Sequence, residues 1–268
     1  MRNIVRSELI RVWRPSFVYA GIGLMAGFAA LVSVFIYTSA STVATPAPPQ
    51  PGPTGRFAVT AAQIAEPGGF LTALGTVSTL AGVILLALWA MCAASDYSTG
   101  VIRILVQAEP KRIRLLTGKM VALVVFTLLA TVATTLIVVL VSHPLARLQG
   151  IETQAWKTDF FPHLLSAYVN FTVAAIVWGL IGLLLAVLTR SSALAIGIGA
   201  GWLLVVENLI GITAPDATPY LPGGTLNALV SGGTSKLGWL PALGLTLLYG
   251  AVAVSISLVA FHRRDILS

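Results

Sequence analysis

The residues with the most chemical potential in this 268-residue chain lie in one stretch, Asp96 to Lys119, which also carries Arg103, Glu109, Lys111, Arg112 and Arg114. A phosphate-cradling loop is the first chemistry to test, because Gly118-Lys119 supplies a Gly-Lys pair. Such a loop also needs an upstream glycine and a hydroxyl after the lysine to hold magnesium. Met120 stands where that hydroxyl belongs, so the chain does not hydrolyse ATP alone and no catalytic residue is assigned. His143, His163 and His262 show no His-Glu-x-x-His spacing, and the single cysteine, Cys92, excludes both an intrachain disulfide and the thiolate metal spacings. No cofactor or metal is expected on the chain itself. One acidic side chain stands in an apolar setting: Glu207, beside Asn208.

The elements that must position these residues follow from composition. Hydrophobic residues make up 57% of the chain and charged residues 9%, and the mean hydropathy is +0.92. A water-soluble domain carries roughly 25% charged residues, so most of this surface must be solvated by lipid. The expected fold is all-α, a polytopic membrane protein forming a single domain over 1–268. Crossing a hydrocarbon core of about 30 Å takes about 20 apolar residues. Six runs qualify: 17–37, 71–94, 120–141, 164–188, 193–212 and 241–261. The first exceeds a cleavable signal core and is expected to be retained.

Lysine and arginine set the orientation, since cytoplasmic loops beside spans carry their excess. Twelve fall before span one, between spans two and three, between four and five, and after span six, against four on the other side. Both termini are therefore expected in the cytoplasm. The net charge of +7 is explained by this clustering beside spans, so nucleic acid is not an expected partner.

The loops differ in kind. Residues 40–69, with Pro46, Pro48, Pro49, Pro51 and Pro53, are expected to be an external segment without helix or strand, either a plain connector or a docking arm. The external stretch 213–240 mixes Gly and Pro with apolar residues and is expected to form short broken helices shielded by protein. At the N-terminus (1–15), Val5, Leu9, Val12 and Trp13 share a helical stripe, with Arg2, Arg6, Glu8 and Arg14 elsewhere around the helix. Such an amphipathic helix lies in the bilayer interface, with Arg6, Arg11 and Trp13 as headgroup anchors. It either sets the angle of span one or contacts a cytoplasmic partner.

Between spans two and three, Ser98 or Thr99 can cap a short helix with Val101, Ile102, Leu105 and Val106 on its apolar face, ended by Pro110 before the basic run. At these residues the sequence resembles the cytoplasmic coupling loop of ABC-2 type exporter permeases. The positions that carry the resemblance are Asp96, Gly100-Val101, Ile104-Leu105, Pro110, Arg112 and Lys119, with Asp for the commoner Glu and Val101 for the commoner Thr. The turn Leu188-Thr189-Arg190-Ser191-Ser192 and the segment Tyr220-Leu221-Pro222 are similar to later parts of the same family.

What the resemblance implies is a dimerising half-transporter in the bacterial plasma membrane, driven by a separate nucleotide-binding subunit that holds ATP and magnesium. On that reading Asp96, Gly100, Arg103, Leu105, Pro110, Arg112 and Lys119 form the interface with the ATPase subunit. The second permease is either the same chain or a paralogue.

Other classes need residues that are scarce here. An ion-coupled carrier or channel places acidic groups or histidine inside its spans, and Glu207 alone is a candidate, near the external end. A non-transporting scaffold subunit is a further alternative. Glu207 either meets substrate at an external exit or hydrogen-bonds the external helices. The Gly23/Gly27 and Gly197/Gly201 pairs are expected to pack within the subunit. A largely apolar path favours hydrophobic or amphipathic cargo, a drug, a lipid or a lipid-linked glycan.

Overall fold

The computed structural model describes residues 2–40, 59–101 and 112–263, and among these residues no strand is formed. Among the described residues six helices are long and apolar enough to cross a membrane, so the protein is an all-α, multi-pass membrane bundle. They are α2 (Pro15–Ser39), α4 (Thr72–Ser98), α5 (Arg112–Leu148), α6 (Phe160–Thr189), α7 (Ser192–Thr213) and α9 (Trp239–Arg263). Shorter helices are α1 (Arg2–Val12), α3 (Ala61–Ala65) and α8 (Pro222–Val230).

The sequence explains the entry into the bundle. Pro15 occupies the first turn of α2, where its missing N–H is no loss, and Arg14 before it is extended at φ −61°, ψ 127°. That break turns the chain from α1 into the first span.

Helix α5 has 37 residues and extends for about 56 Å at 1.5 Å per residue, far beyond a hydrocarbon core of about 30 Å. It includes Arg112, Arg114 and Lys119, which the sequence pattern assigns to a loop, and it continues through both Gly118 and Pro144. The basic run is therefore the first turns of a span.

Between lipid-facing helices there is little hydrophobic drive, so close packing and interhelical hydrogen bonds must hold the bundle. The α4–α6 pair is the most extensive contact. It is built on two reciprocal notches: the Trp178 indole lies over Gly82, and the Trp89 indole lies over Gly179. A Cβ at either glycine would overlap the ring. Trp89 Nε1 donates to Thr127 Oγ1 at 3.0 Å, and Thr172 Oγ1 donates to Thr131 Oγ1 at 3.0 Å, which stitches α4 and α6 to α5.

Two expectations are corrected. Residues 41–58, including the proline run, lie outside the described residues, but the end of the 40–69 segment is helical at Ala61–Ala65. Thr60 and Gln63 form a capping box there, and Trp156 Nε1 donates to the Ile64 carbonyl at 2.8 Å. The Thr99 hydroxyl donates back to the Ser95 carbonyl at 2.7 Å and closes α4, and the short helix expected after it lies outside the described residues from 102 onward. Finally, a Cβ added at Gly23, Gly27, Gly197 or Gly201 would meet nothing within 4 Å. These pairs face outward instead of packing within the subunit.

Candidate functional site: a buried ion cluster joining three helices

At the end of the bundle where α1 lies, four charged side chains converge from three helices. Glu8 and Arg11 come from α1, Asp96 from the last turns of α4, and Lys119 from the third turn of α5. Lys119 Nζ donates to Asp96 Oδ2, lies 3.8 Å from Glu8 Oε2 and donates to the Cys92 carbonyl at 3.1 Å. Arg11 NH1 donates to Glu8 Oε1 at 3.1 Å and lies 3.7 Å from Asp96 Oδ1. Glu8, Asp96 and Lys119 are 3%, 8% and 8% exposed. Two carboxylates face two cations, so the cluster is neutral as a whole.

Local sequence explains why it forms. Glu8 lies one turn before Val12, and both are buried, so the inward stripe of α1 includes a carboxylate among its apolar residues. Leu116, Val187 and Phe261 wall one side of the cluster. Removing one partner from such a buried group leaves an uncompensated charge, at a cost of about 3–5 kcal/mol. The cluster therefore joins α1, α4 and α5 into one block.

Of the residues the sequence singles out for coupling, Asp96 and Lys119 meet here. Gly100 follows α4 with φ +69°, a left-handed conformation that suits glycine and turns the chain away from the helix. Arg103, Leu105 and Pro110 lie outside the described residues. So does the Arg112 side chain, although its backbone starts α5.

Among the three anchors, Trp13 is 44% exposed and free to sit at headgroup level, while the side chain of Arg6 lies outside the described residues. Arg11 departs from the expectation that it reaches lipid phosphates, because its guanidinium turns inward to Glu8 and Asp96. Glu8, expected on the polar side of α1, is instead buried. Its burial is hidden in the sequence because its partner from another helix, Lys119, stands more than 100 positions away. The only local signal is its place three residues before Arg11.

A second polar site lies at the far end of the bundle. Helix α7 passes through a π-helical turn at Trp202–Val206, in which the Glu207 N–H donates to the Trp202 carbonyl five residues back. That register sets Trp202 and Glu207 on one side of the helix, and Trp202 Nε1 donates to Glu207 Oε1 at 2.9 Å. The same oxygen accepts from the Gly223 N–H at 2.8 Å, at the first turn of α8. Glu207 thus supplies, from another helix, the negative charge and acceptor that a helix N-terminus lacks. Gly223 is required for this approach, since a Cβ there would strike the carboxylate.

Comparison with known proteins adds one relationship. No curated protein matches the chain. The family model described as "Protein of unknown function (DUF2705)" matches residues 55–267, which include α4 to α9 and the Asp96 and Lys119 ends of the cluster, and the chain belongs to that family.

Proposed function

We infer that this chain is the membrane-spanning permease subunit of an ATP-binding cassette exporter in a bacterial plasma membrane, with both termini in the cytoplasm. The observation that carries the reading is the buried contact between Asp96 and Lys119, the two ends of the segment that resembles an ABC-2 coupling loop. A lever works only if its roots are fixed to what it moves. Here both roots are held to each other and, through Glu8 and Arg11, to the N-terminal helix.

A separate ATPase subunit, holding ATP and magnesium, would press on the segment through Gly100, Arg103, Leu105, Pro110 and Arg112. Closure of that subunit would tilt α4 and α5 together with α1, as one rigid block biased between two states. A second permease, identical or paralogous, would approach the outward glycine faces of α2 and α7, where small residues allow close backbone contact. The cargo is a hydrophobic or amphipathic small molecule or lipid that leaves along the bilayer side of the spans. On this reading Glu207 supports the external helices and does not carry a coupling ion, since its Oε1 is engaged by Trp202 and Gly223.

Affinity purification of the tagged chain from its native membranes tests the reading. The expected result is stoichiometric recovery of a P-loop ATPase whose hydrolysis is stimulated by the permease. Recovery without any P-loop protein, together with transport that persists in ATP-depleted cells, would overturn it.

A further inference from the structure

A cleft of about 860 Å³ opens between α2 and α4 beside the ion cluster. This is within the usual ligand-pocket range of roughly 300–1,000 Å³. Its two ends differ in chemistry. At one end stand Arg11, Arg14 and Asp96 with the hydroxyls of Ser16 and Thr99; from there it runs between Phe17, Leu24, Val83, Leu88 and Met91. Ala20 and Ala87 line its middle with side chains too small to fill it.

From Asp96 to Val83 is 13 residues along α4, about 20 Å at 1.5 Å per residue. Half of a hydrocarbon core of about 30 Å is about 15 Å. The cleft thus has the length of one leaflet and its headgroup layer, polar at the helix ends and apolar toward the bilayer centre.

The charge at its mouth selects the headgroup. Glu8, Arg11, Asp96 and Lys119 balance one another, and exposed Arg14 adds a positive charge beside the partly exposed Arg11. An arginine fork matches phosphate oxygens in two parallel hydrogen bonds. We propose that this cleft holds an anionic phospholipid of the adjoining leaflet, its phosphate on Arg14 at the mouth and one acyl chain between α2 and α4. The lipid then fastens α1 and α2 to α4 at the point where the ion cluster already joins them. The site requires only that the spans lie in a bilayer, so it stands or falls separately from the ATP-driven reading.

Native mass spectrometry of the full chain, released from nanodiscs of equal phosphatidylglycerol and phosphatidylcholine, tests this. One phosphatidylglycerol retained per chain in preference to phosphatidylcholine is the expected result. Arg14→Gln should weaken that retention about fivefold, the effect of one basic residue at a lipid surface. Ala87→Leu, which fills the cleft without touching charge, should reduce retention of both lipids. Arg147→Gln, exposed at the opposite end of the bundle, should change neither. Equal retention of the two lipids by the unmodified chain would overturn the proposal. So would retention indifferent to Ala87→Leu, or displacement of the lipid by inorganic phosphate alone, since either result would place only a headgroup there.

Discussion

Lys119 and Asp96, 23 positions apart, close a buried ion pair between the end of one membrane span and the start of the next. The segment between them is therefore anchored at both ends by a single contact. Each partner is also engaged by α1, through Glu8 and Arg11.

Breaking that pair from one side should be more harmful than removing it. Asp96→Ala or Lys119→Met should each lower stability by about 3–5 kcal/mol, because each leaves a buried charge without its partner. The double variant should recover part of that loss, with a coupling energy of about 0.5–3 kcal/mol. Thermal unfolding of the four proteins in one detergent gives the cycle; strictly additive losses would show that the two side chains do not interact.

Glu8→Ala should release α1 from the bundle without unfolding the spans. Amide hydrogen exchange is the readout: protection in α1 should fall, and that in the middle of α6 should stay as it was. Glu8→Gln keeps an acceptor for Arg11 and should have a smaller effect.

The glycines divide into two classes with opposite expected responses. Gly179→Ala places a methyl group against the Trp89 ring and should destabilise by about 1–3 kcal/mol through overpacking. Gly23→Ala and Gly197→Ala meet open space and remove backbone freedom, so in a monodisperse single chain they should stabilise by up to about 1 kcal/mol. Thermal unfolding separates the classes. A loss of self-association in the second pair, seen by light scattering, would identify that face as one where two copies of the chain meet.

At the other end, Glu207→Ala removes the acceptor for both Trp202 and the first turn of α8 and should cost about 1–3 kcal/mol. Glu207→Gln should be milder and, on the proposed permease reading, should leave export of every substrate unchanged. A substrate-selective loss with Glu207→Gln would instead place the carboxylate on the transport path.

Asp216 and Lys236 make an exposed pair at 2.6 Å that links the segment after α7 to the segment before α9. The hydrogen bond from Lys236, with its charge, holds the Asp216 carboxyl below its ordinary value. A depressed carboxyl favours the folded state above its unfolded pKa, and that contribution is lost as pH falls through the folded value. Lys236→Met should therefore flatten any acid-side loss of order in these segments, and should have little effect at neutral pH, where exposed pairs contribute little.

The number and order of spans were legible in the sequence because an uncharged apolar run of about 20 residues matches a bilayer and little else. Their ends were not: α5 takes in its basic flank and continues through Pro144, so neither charge nor proline marks where it stops. Asp96 and Lys119 were legible as members of one segment, but their contact depends on how α4 and α5 cross, which local pattern does not encode. Glu8 was concealed by the rule that charge marks the outer face of an amphipathic helix. That rule fails where a cation from another helix waits inside. Glu207 stood out as acidic in an apolar run, while its link to Gly223 required the π-helical turn and the return of α8, neither visible as periodicity.

If the chain is driven from outside, a P-loop ATPase must grip the segment between Asp96 and Lys119. The most direct test is site-specific cross-linking in native membranes, with a single cysteine at position 105 in a Cys92→Ala background and a control cysteine at position 216. A cross-link from position 105 to a P-loop ATPase, changed by ATP with vanadate and absent from position 216, is the expected result. Equal labelling at the two positions, or no P-loop protein captured at position 105 while transport remains intact, would contradict it.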